Sequence, residues 1–378
     1  MSQSRSKPVF ANVYWFPLAA IHSALILPWS VAGQFGWWPA PPGLRVSWGH
    51  GHEMLFGFAL AVMTGYLLGP QPRREILAMI GLWLLARITF LGWPASPAAA
   101  LLNFAFVFVL AWKTVPVFLK TAKKWRNKAV GVIVLGLCFS MAAFHLVVGM
   151  EDRALLARKM LLEAILLLSA LMFFMGGRML APAIAGHMQD KGRALDARVQ
   201  PGFEAAVLLL LAALLLLNLL PVAWVSTVEA LLLFACAVLT LIRMLRWQIW
   251  HCLDRPDFLA LLTGYGWLVA GWTLIGWSLL GGTLALSSVF HAITVGALGT
   301  LSSNVMIRTR MLRCLKDPNA WPWVYLLAVP VSIAAVLRLT ITGLPYDTAL
   351  LLAASLWSVA FAALFLLLLM LATKEKRR

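Results

Sequence analysis

The sequence predicts an all-α fold: a polytopic membrane bundle of about twelve transmembrane helices, with both termini cytoplasmic and residues 1–378 forming a single integral membrane domain. Three observations predict it. Hydrophobic residues make up 62% of the chain and charged residues 12%, and the mean hydropathy is +0.87, a composition that belongs to membrane proteins. Twelve stretches approach the ~20 apolar residues needed to cross the hydrocarbon. The segments between them alternate between strongly basic and nearly uncharged, as the positive-inside rule requires.

The first stretch, 12–33, follows a short basic opening, Met1–Phe10. No small-residue cleavage site ends it, so it reads as a retained helix rather than a signal peptide. A Trp-, Pro- and Gly-rich segment, 34–48, suits a membrane interface and leads into 50–69. Arg73 and Arg74 precede 76–93, and the short turn Trp93–Pro97 connects to 98–118. Lys120, Lys123, Lys124, Arg126 and Lys128 separate that stretch from 129–149, after which comes 157–180. Lys191, Arg193 and Arg198 precede 204–220 and 223–243, which are joined at Pro221. Arg243, Arg246 and Arg255 precede 258–280 and 284–306, joined by the uncharged Leu280-Gly281-Gly282. Arg308, Arg310, Arg313 and Lys316 precede 322–342 and 348–372. The basic connections share a side with both termini, which the rule makes cytoplasmic.

The net charge of +17 is therefore a topology signal, and no nucleic-acid partner is expected. Cys138, Cys236, Cys252 and Cys314 show no Cys-x-x-Cys spacing; two fall in apolar stretches and two in basic loops, so no structural disulfide is expected. The Leu-rich tracts 207–220 and 350–371 read as lipid-facing helix, and no internal repeat is visible in the sequence.

Polar residues inside the spans are costly, about 2.5–3.5 kcal/mol for a charge at a helix centre, and normally face a bundle interior or cavity. They gather in the outer halves. His50, His52 and Glu53 open the second span, His145 ends the fifth, His291 lies about two turns into the tenth, and His22 falls mid-way along the first. Arg87, Asn103, Lys159, Glu163, Glu229 and Arg338 share that half. This pattern points to a polar, metal-capable cavity on the extracytoplasmic side, since neutral imidazole is the commonest protein metal ligand. His50, His52, His145 and His291, with Arg87 nearby, are expected to surround it.

If His50 and His52 are both helical, their rings diverge by about 200°; if Gly51 breaks the helix, both can turn toward one ion. An isolated His such as His22 or His145 is more often a hydrogen-bonded core residue than a ligand. Lys159 and Glu163 have the spacing of a neutralising helical pair. His187 and His251 fall in basic loops and read as solvated. Arg87 and Arg338 suit bidentate contact with carboxylates such as haem propionates, although Arg338 can equally snorkel to the interface.

Three strings carry a family resemblance: Trp48-Gly49-His50-Gly51-His52-Glu53-Met54-Leu55-Phe56-Gly57-Phe58, Gly176-Gly177-Arg178, and His291-Ala292-Ile293-Thr294-Val295-Gly296-Ala297-Leu298-Gly299-Thr300. They resemble the NnrS family of haem- and copper-containing bacterial inner-membrane proteins linked to nitric oxide metabolism and nitrosative stress. Leu82-Trp83-Leu84-Leu85-Ala86-Arg87 fits the family's third span. Three strings depart from the family pattern: Tyr14-Trp15-Phe16-Pro17 lacks its Arg, Leu262-Thr263-Gly264-Tyr265-Gly266-Trp267 lacks its His, and the Pro and aromatic residues expected after Gly176-Gly177-Arg178 are altered. The resemblance transfers most directly to His50, His52, Glu53 and His291.

The resemblance implies a haem/copper redox protein of the bacterial inner membrane that binds nitric oxide and reduces or otherwise removes it, with electrons from a quinol or cytochrome. Haem b is expected because no Cys-x-x-Cys-His is present, together with copper or another histidine-bound metal such as non-haem iron. His22, His50, His52, His145 and His291 are the candidate metal ligands; Arg87 and Arg338 are candidate haem contacts, and Glu53 is a ligand or proton carrier. Two other classes stand beside this reading. Twelve spans with intramembrane His, Glu and Arg also suit a proton-coupled secondary transporter, and the same ligands suit a haem or copper delivery protein for respiratory enzymes.

Overall fold

The structure is a computed structural model that describes residues 8–46, 48–121, 124–148, 150, 154–220, 224–339 and 343–376. Lys123, Pro221 and the terminal residues 1–7 and 377–378 lie outside these, as do their expected roles in the topology. The chain divides into two compact units, 1–164 with 361–378, and 165–360.

In the first unit a two-residue strand, β1 (Val9–Phe10), pairs antiparallel with β2 (Pro70–Gln71). Helix α1 (Asn12–Gln34) contains Pro17 and Pro28 and ends before Gly36, whose φ of 70° suits only glycine without strain. The short α2 (Pro42–Arg45) and α3 (Gly49–His52) follow. At Glu53 the helix widens into a π-helix, Glu53–Ala59, then returns to α in α4 (Leu60–Leu67). Helices α5 (Arg73–Gly92), α6 (Pro97–Thr121) and α7 (Trp125–Val147) complete the sequence up to α8 (Ala154–Asp190). Trp15, Phe56, Phe58, Trp83 and Phe90 are fully buried in this unit.

The second unit contains α9 (Pro201–Asn218), α10 (Val225–Leu245) and a 3-10 turn, Ile249–Cys252. Helix α11 (Pro256–Leu279) starts with Pro in its first turn, where the missing N–H costs nothing. Then α12 (Leu286–His291) runs into a second π-helix, Ala292–Ala297, and on into α13 (Leu298–Leu315). A 3-10 segment, Pro322–Leu327, leads into α14 (Ala328–Arg338), and α15 (Tyr346–Lys376) is the last helix. Tyr265, Trp272 and Trp357 fill this core.

Ten helices among the described residues are long and apolar enough to cross a membrane. The other two predicted spans are present in broken form. The stretch 50–69 is divided among α3, the π-helix and α4, and 322–342 begins as a 3-10 segment and continues as α14. The sixth span does not end at 180; α8 continues to Asp190, and Gly192 at φ 69° stops it. The four cysteines are free and buried, and Cys314 is part of α13 and not of a loop. Leu209, Leu216 and Leu366 are exposed, as a lipid-facing surface requires.

Candidate functional site

Five parts of the first unit deliver one buried polar cluster. His22 comes from the middle of α1, His52 and Glu53 from the α-to-π junction, Arg87 from α5, Asn103 from α6, and His145 from the end of α7. Glu53 is fully buried. Its Oε1 accepts hydrogen bonds from Arg87 Nη1 at 2.8 Å and from His52 Nδ1 at 3.1 Å. Arg87 Nη2 donates to Asn103 Oδ1, and Asn103 Nδ2 donates to Ala99 O at 2.8 Å. Asn103 thus fixes the guanidinium from behind. The sequence marks it as an intramembrane polar residue but gives no sign of this contact, which spans two helices.

Glu53 Oε2 lies 3.2 Å from His22 Nε2, close but not aligned as a hydrogen bond, since both atoms are buried without one. Gly57 permits this approach: a Cβ there would sit 2.6 Å from His22 Nε2 and 3.2 Å from Glu53 Oε2. Trp83 closes the same spot, donating from Nε1 to Gly57 O at 3.2 Å and meeting the His22 ring edge-on with centroids 5.0 Å apart. The π-helix that holds Glu53 and Gly57 is a rare geometry that is frequent at functional sites.

The ring of His52 has a defined proton. An ionised carboxylate only accepts, so His52 Nδ1 carries the hydrogen and Nε2 the lone pair. That lone pair faces His145 Nε2 at 3.0 Å, with the rings at 89°. His145 therefore donates from Nε2 and keeps its lone pair on Nδ1, which is buried with no protein partner. The His52 ring stacks on Phe90 at 3.5 Å between centroids, with Phe144 and Phe56 at 5.0 and 5.4 Å.

His50 is half-buried on α3. Gly51 stays inside the helix, with only Leu161 Cδ1 at 3.7 Å from where a Cβ would stand. Both histidines are thus helical, and their side chains diverge by about 200°.

In the second unit His291 ends α12. Its Nδ1 donates to Ser287 O at 2.9 Å and lies 3.3 Å from Ser288 O, so Nε2 carries the lone pair. Arg338 Nη2 points at that nitrogen from 3.4 Å, and its guanidinium lies 5.7 Å from the Tyr346 ring centroid. The structure thus brings together His22, His52, Glu53, Arg87 and His145 in one unit, and His291 and Arg338 in the other.

Among the described residues, no three His, Cys, Asp or Glu side chains converge as they stand so as to hold a metal ion. The donor chemistry of the first unit nevertheless suits a small cation. Two imidazoles bound tetrahedrally at 2.0–2.1 Å place their nitrogens ~3.3 Å apart, a few tenths of an ångström from the observed His52–His145 Nε2 separation of 3.0 Å. The ion would take the place of the His145 Nε2 hydrogen, with that ring protonated on Nδ1 instead. A carboxylate behind a histidine is also the usual device for orienting a ligand. A porphyrin does not suit His52, whose ring is enclosed by Phe90, Phe144 and Phe56. The donor set at His291 does suit one: a backbone carbonyl orients the ring, and a guanidinium stands beside it.

Several charges assigned to the basic connections are paired within the protein. Arg243 is buried, donates to Glu204 Oε1 at 2.8 Å, and lies over Phe173 and Trp247 at 4.6 and 5.0 Å. Gly176 and Gly177 make the space: a Cβ on Gly177 would sit 2.5 Å from Arg243 Nη2, and one on Gly176 2.9 Å from the Tyr265 ring. Arg255 and Arg308 both bind the buried Asp257. His187 is not in a loop but near the end of α8, 3.2 Å from Asp254 Oδ1. Hydrogen bonds from Lys191 first, and then from His187, hold the Asp254 carboxyl down at about 2.

No match is found among individual curated proteins. A family model described as NnrS protein matches residues 14–375.

Proposed function

The chain belongs to the NnrS family, and from that premise we propose that it is a haem- and copper-dependent membrane redox protein that binds nitric oxide and reduces or otherwise removes it. It is a membrane protein by its apolar helices; on the sequence topology, the bacterial inner membrane is its place and the cluster faces the extracytoplasmic side. The observation that carries the reading is the buried Glu53, held by Arg87 and His52 and backed by His145.

Burying a carboxylate and a guanidinium costs several kcal/mol per ion unless they pair closely. A fold that meets this cost around two imidazoles with defined lone pairs is organised for ligand and proton handling. His52 and His145 would hold copper or another small cation, with His22 and Glu53 adjacent, and His50 on the opposite side of α3. Haem, when bound, supplies an iron that takes nitric oxide and passes one electron at a time. Glu53, next to both His52 and His22, is placed to take up and release protons that reduction consumes. Nitric oxide is small and apolar, so a site within the bilayer meets it where it is concentrated. A quinol or cytochrome is the proposed electron donor.

The test is nitric oxide consumption by reduced membranes, together with an absorption spectrum and metal analysis of the purified protein. Haem, a second metal and consumption that depends on His52 support the reading. A colourless protein that consumes no nitric oxide overturns it, and a proton-coupled transporter or a haem or copper delivery protein would then explain the same residues better.

A further inference from the structure

Two stretches of the chain, 12–121 and 256–376, repeat one plan. In each, a long helix (α1, α11) precedes a short α segment whose last residue is histidine, His52 or His291, directly in the second stretch and across the four-residue α2 in the first. In each, a π-helix starts at the very next residue and then reverts to α. The strings His52-Glu53-Met54-Leu55-Phe56-Gly57 and His291-Ala292-Ile293-Thr294-Val295-Gly296 share the His and, five residues on, the Gly. Further on, Arg87-Ile88-Thr89-Phe90-Leu91-Gly92-Trp93-Pro94 matches Arg338-Leu339-Thr340-Ile341-Thr342-Gly343-Leu344-Pro345 at Arg, Thr, Gly and Pro.

Packing repeats too. His22 lies twelve residues before the end of α1, and Trp267 twelve before the end of α11. Each meets the glycine of its own π-helix, where a Cβ would come to 2.6 Å from His22 Nε2 or 2.4 Å from Trp267 Cδ2. A shared helix irregularity, shared spacing and a shared glycine contact are three independent agreements, and chance does not supply all three.

The copies differ at one decisive position. Glu53 in the first corresponds to Ala292 in the second. Arg87 is therefore neutralised inside the protein by Glu53 and held by Asn103, whereas Arg338 has no carboxylate partner among the described residues and contacts His291 and Tyr346. A guanidinium prefers a carboxylate, bound bidentately, to a neutral imidazole. A carboxylate-bearing ligand would draw Arg338 away and leave the His291 lone pair open for coordination.

We infer that the chain contains a tandem duplication whose copies have divided the two cofactors: a bare metal ion at His52 and His145 in the first, and the haem in the second, with His291 as iron ligand and Arg338 on a propionate. This rests on the proposed haem/copper reading and adds which half holds which group.

The test uses the full-length protein purified in detergent from cells supplied with haem precursor and copper. Haem per chain is measured as the pyridine haemochrome, and copper and iron by mass spectrometry, on variants that elute monodisperse. His291→Ala and Arg338→Gln should lower haem per chain by about tenfold or more and leave copper near the wild-type ratio. His52→Ala and His145→Ala should do the reverse. Arg338→Lys should keep part of the haem, since an ammonium still meets a carboxylate but not bidentately. If His291→Ala fails to fold, His291→Met decides: a shifted haem spectrum supports iron ligation, and an unchanged one overturns it. Haem lost from His52→Ala but retained in His291→Ala and Arg338→Gln overturns the assignment, as does equal loss of both groups in every monodisperse variant. A wild-type protein without haem defeats the proposed function itself, before any variant is compared, and the assignment with it.

Discussion

His52 Nε2 lies 3.0 Å from His145 Nε2, and the carboxylate behind His52 decides which of the two rings carries the proton between them. Glu53 fixes the hydrogen on His52 Nδ1, so His145 must donate, and its own Nδ1 is left as a buried lone pair. One carboxylate on the neighbouring residue thus sets the tautomers of two imidazoles.

Removing that carboxylate exposes the charge it balances. Glu53→Gln leaves Arg87 buried without a counter-ion and should cost about 3–5 kcal/mol, read as a lowered unfolding midpoint in detergent. Adding Arg87→Met should restore part of the loss, because no lone charge then remains. A double variant less stable than Glu53→Gln alone would show that the pair is not the source.

Asn103 is expected to act through Arg87. Asn103→Leu removes the acceptor from a buried guanidinium and should cost about 1–3 kcal/mol in the same measurement. It should also lower nitric oxide consumption without removing the metal. An unchanged midpoint with full consumption would show that Arg87 needs only Glu53.

The two glycines of the motif should respond oppositely. Gly57→Ala forces a methyl to within 2.6 Å of His22 Nε2 and should destabilise by about 1–3 kcal/mol, as overpacked sites do. Gly51→Ala meets only Leu161 Cδ1 at 3.7 Å and should stay within about 0.5 kcal/mol of wild type. Equal effects at both positions would contradict the π-helix packing.

On activity, His52→Ala, His145→Ala and His291→Ala should each abolish nitric oxide consumption by reduced membranes, measured with an electrode. His187→Ala alters contacts with Asp254 and the Phe258 ring near the end of α8, away from the cluster residues, and should consume at the wild-type rate. Full consumption by all three site variants would place the chemistry elsewhere in the chain.

The sequence alone determined the membrane class, the apolar stretches and the polar residues set within them. It can do so because transfer into hydrocarbon is costly for every charge and favourable for every apolar side chain. Composition and spacing record those energies directly, and so His22, His50, His52, Glu53, Arg87 and His145 stand out unaided. Only the tertiary structure decided which of them meet, that Asn103 holds Arg87, that Gly176 and Gly177 make room for Tyr265 and Arg243, and that the histidine motifs lead into π-helices. Arg243 shows why: at a helix end it reads as a topology charge, and it is Glu204, thirty-nine residues away in the chain, that pairs with it in the interior. The duplication was hidden for a related reason. What the copies share is a helix irregularity and a glycine contact, and their sequences agree only at the few positions those features constrain. Partners brought together from distant helices are set by packing, and packing leaves no periodic trace in the chain.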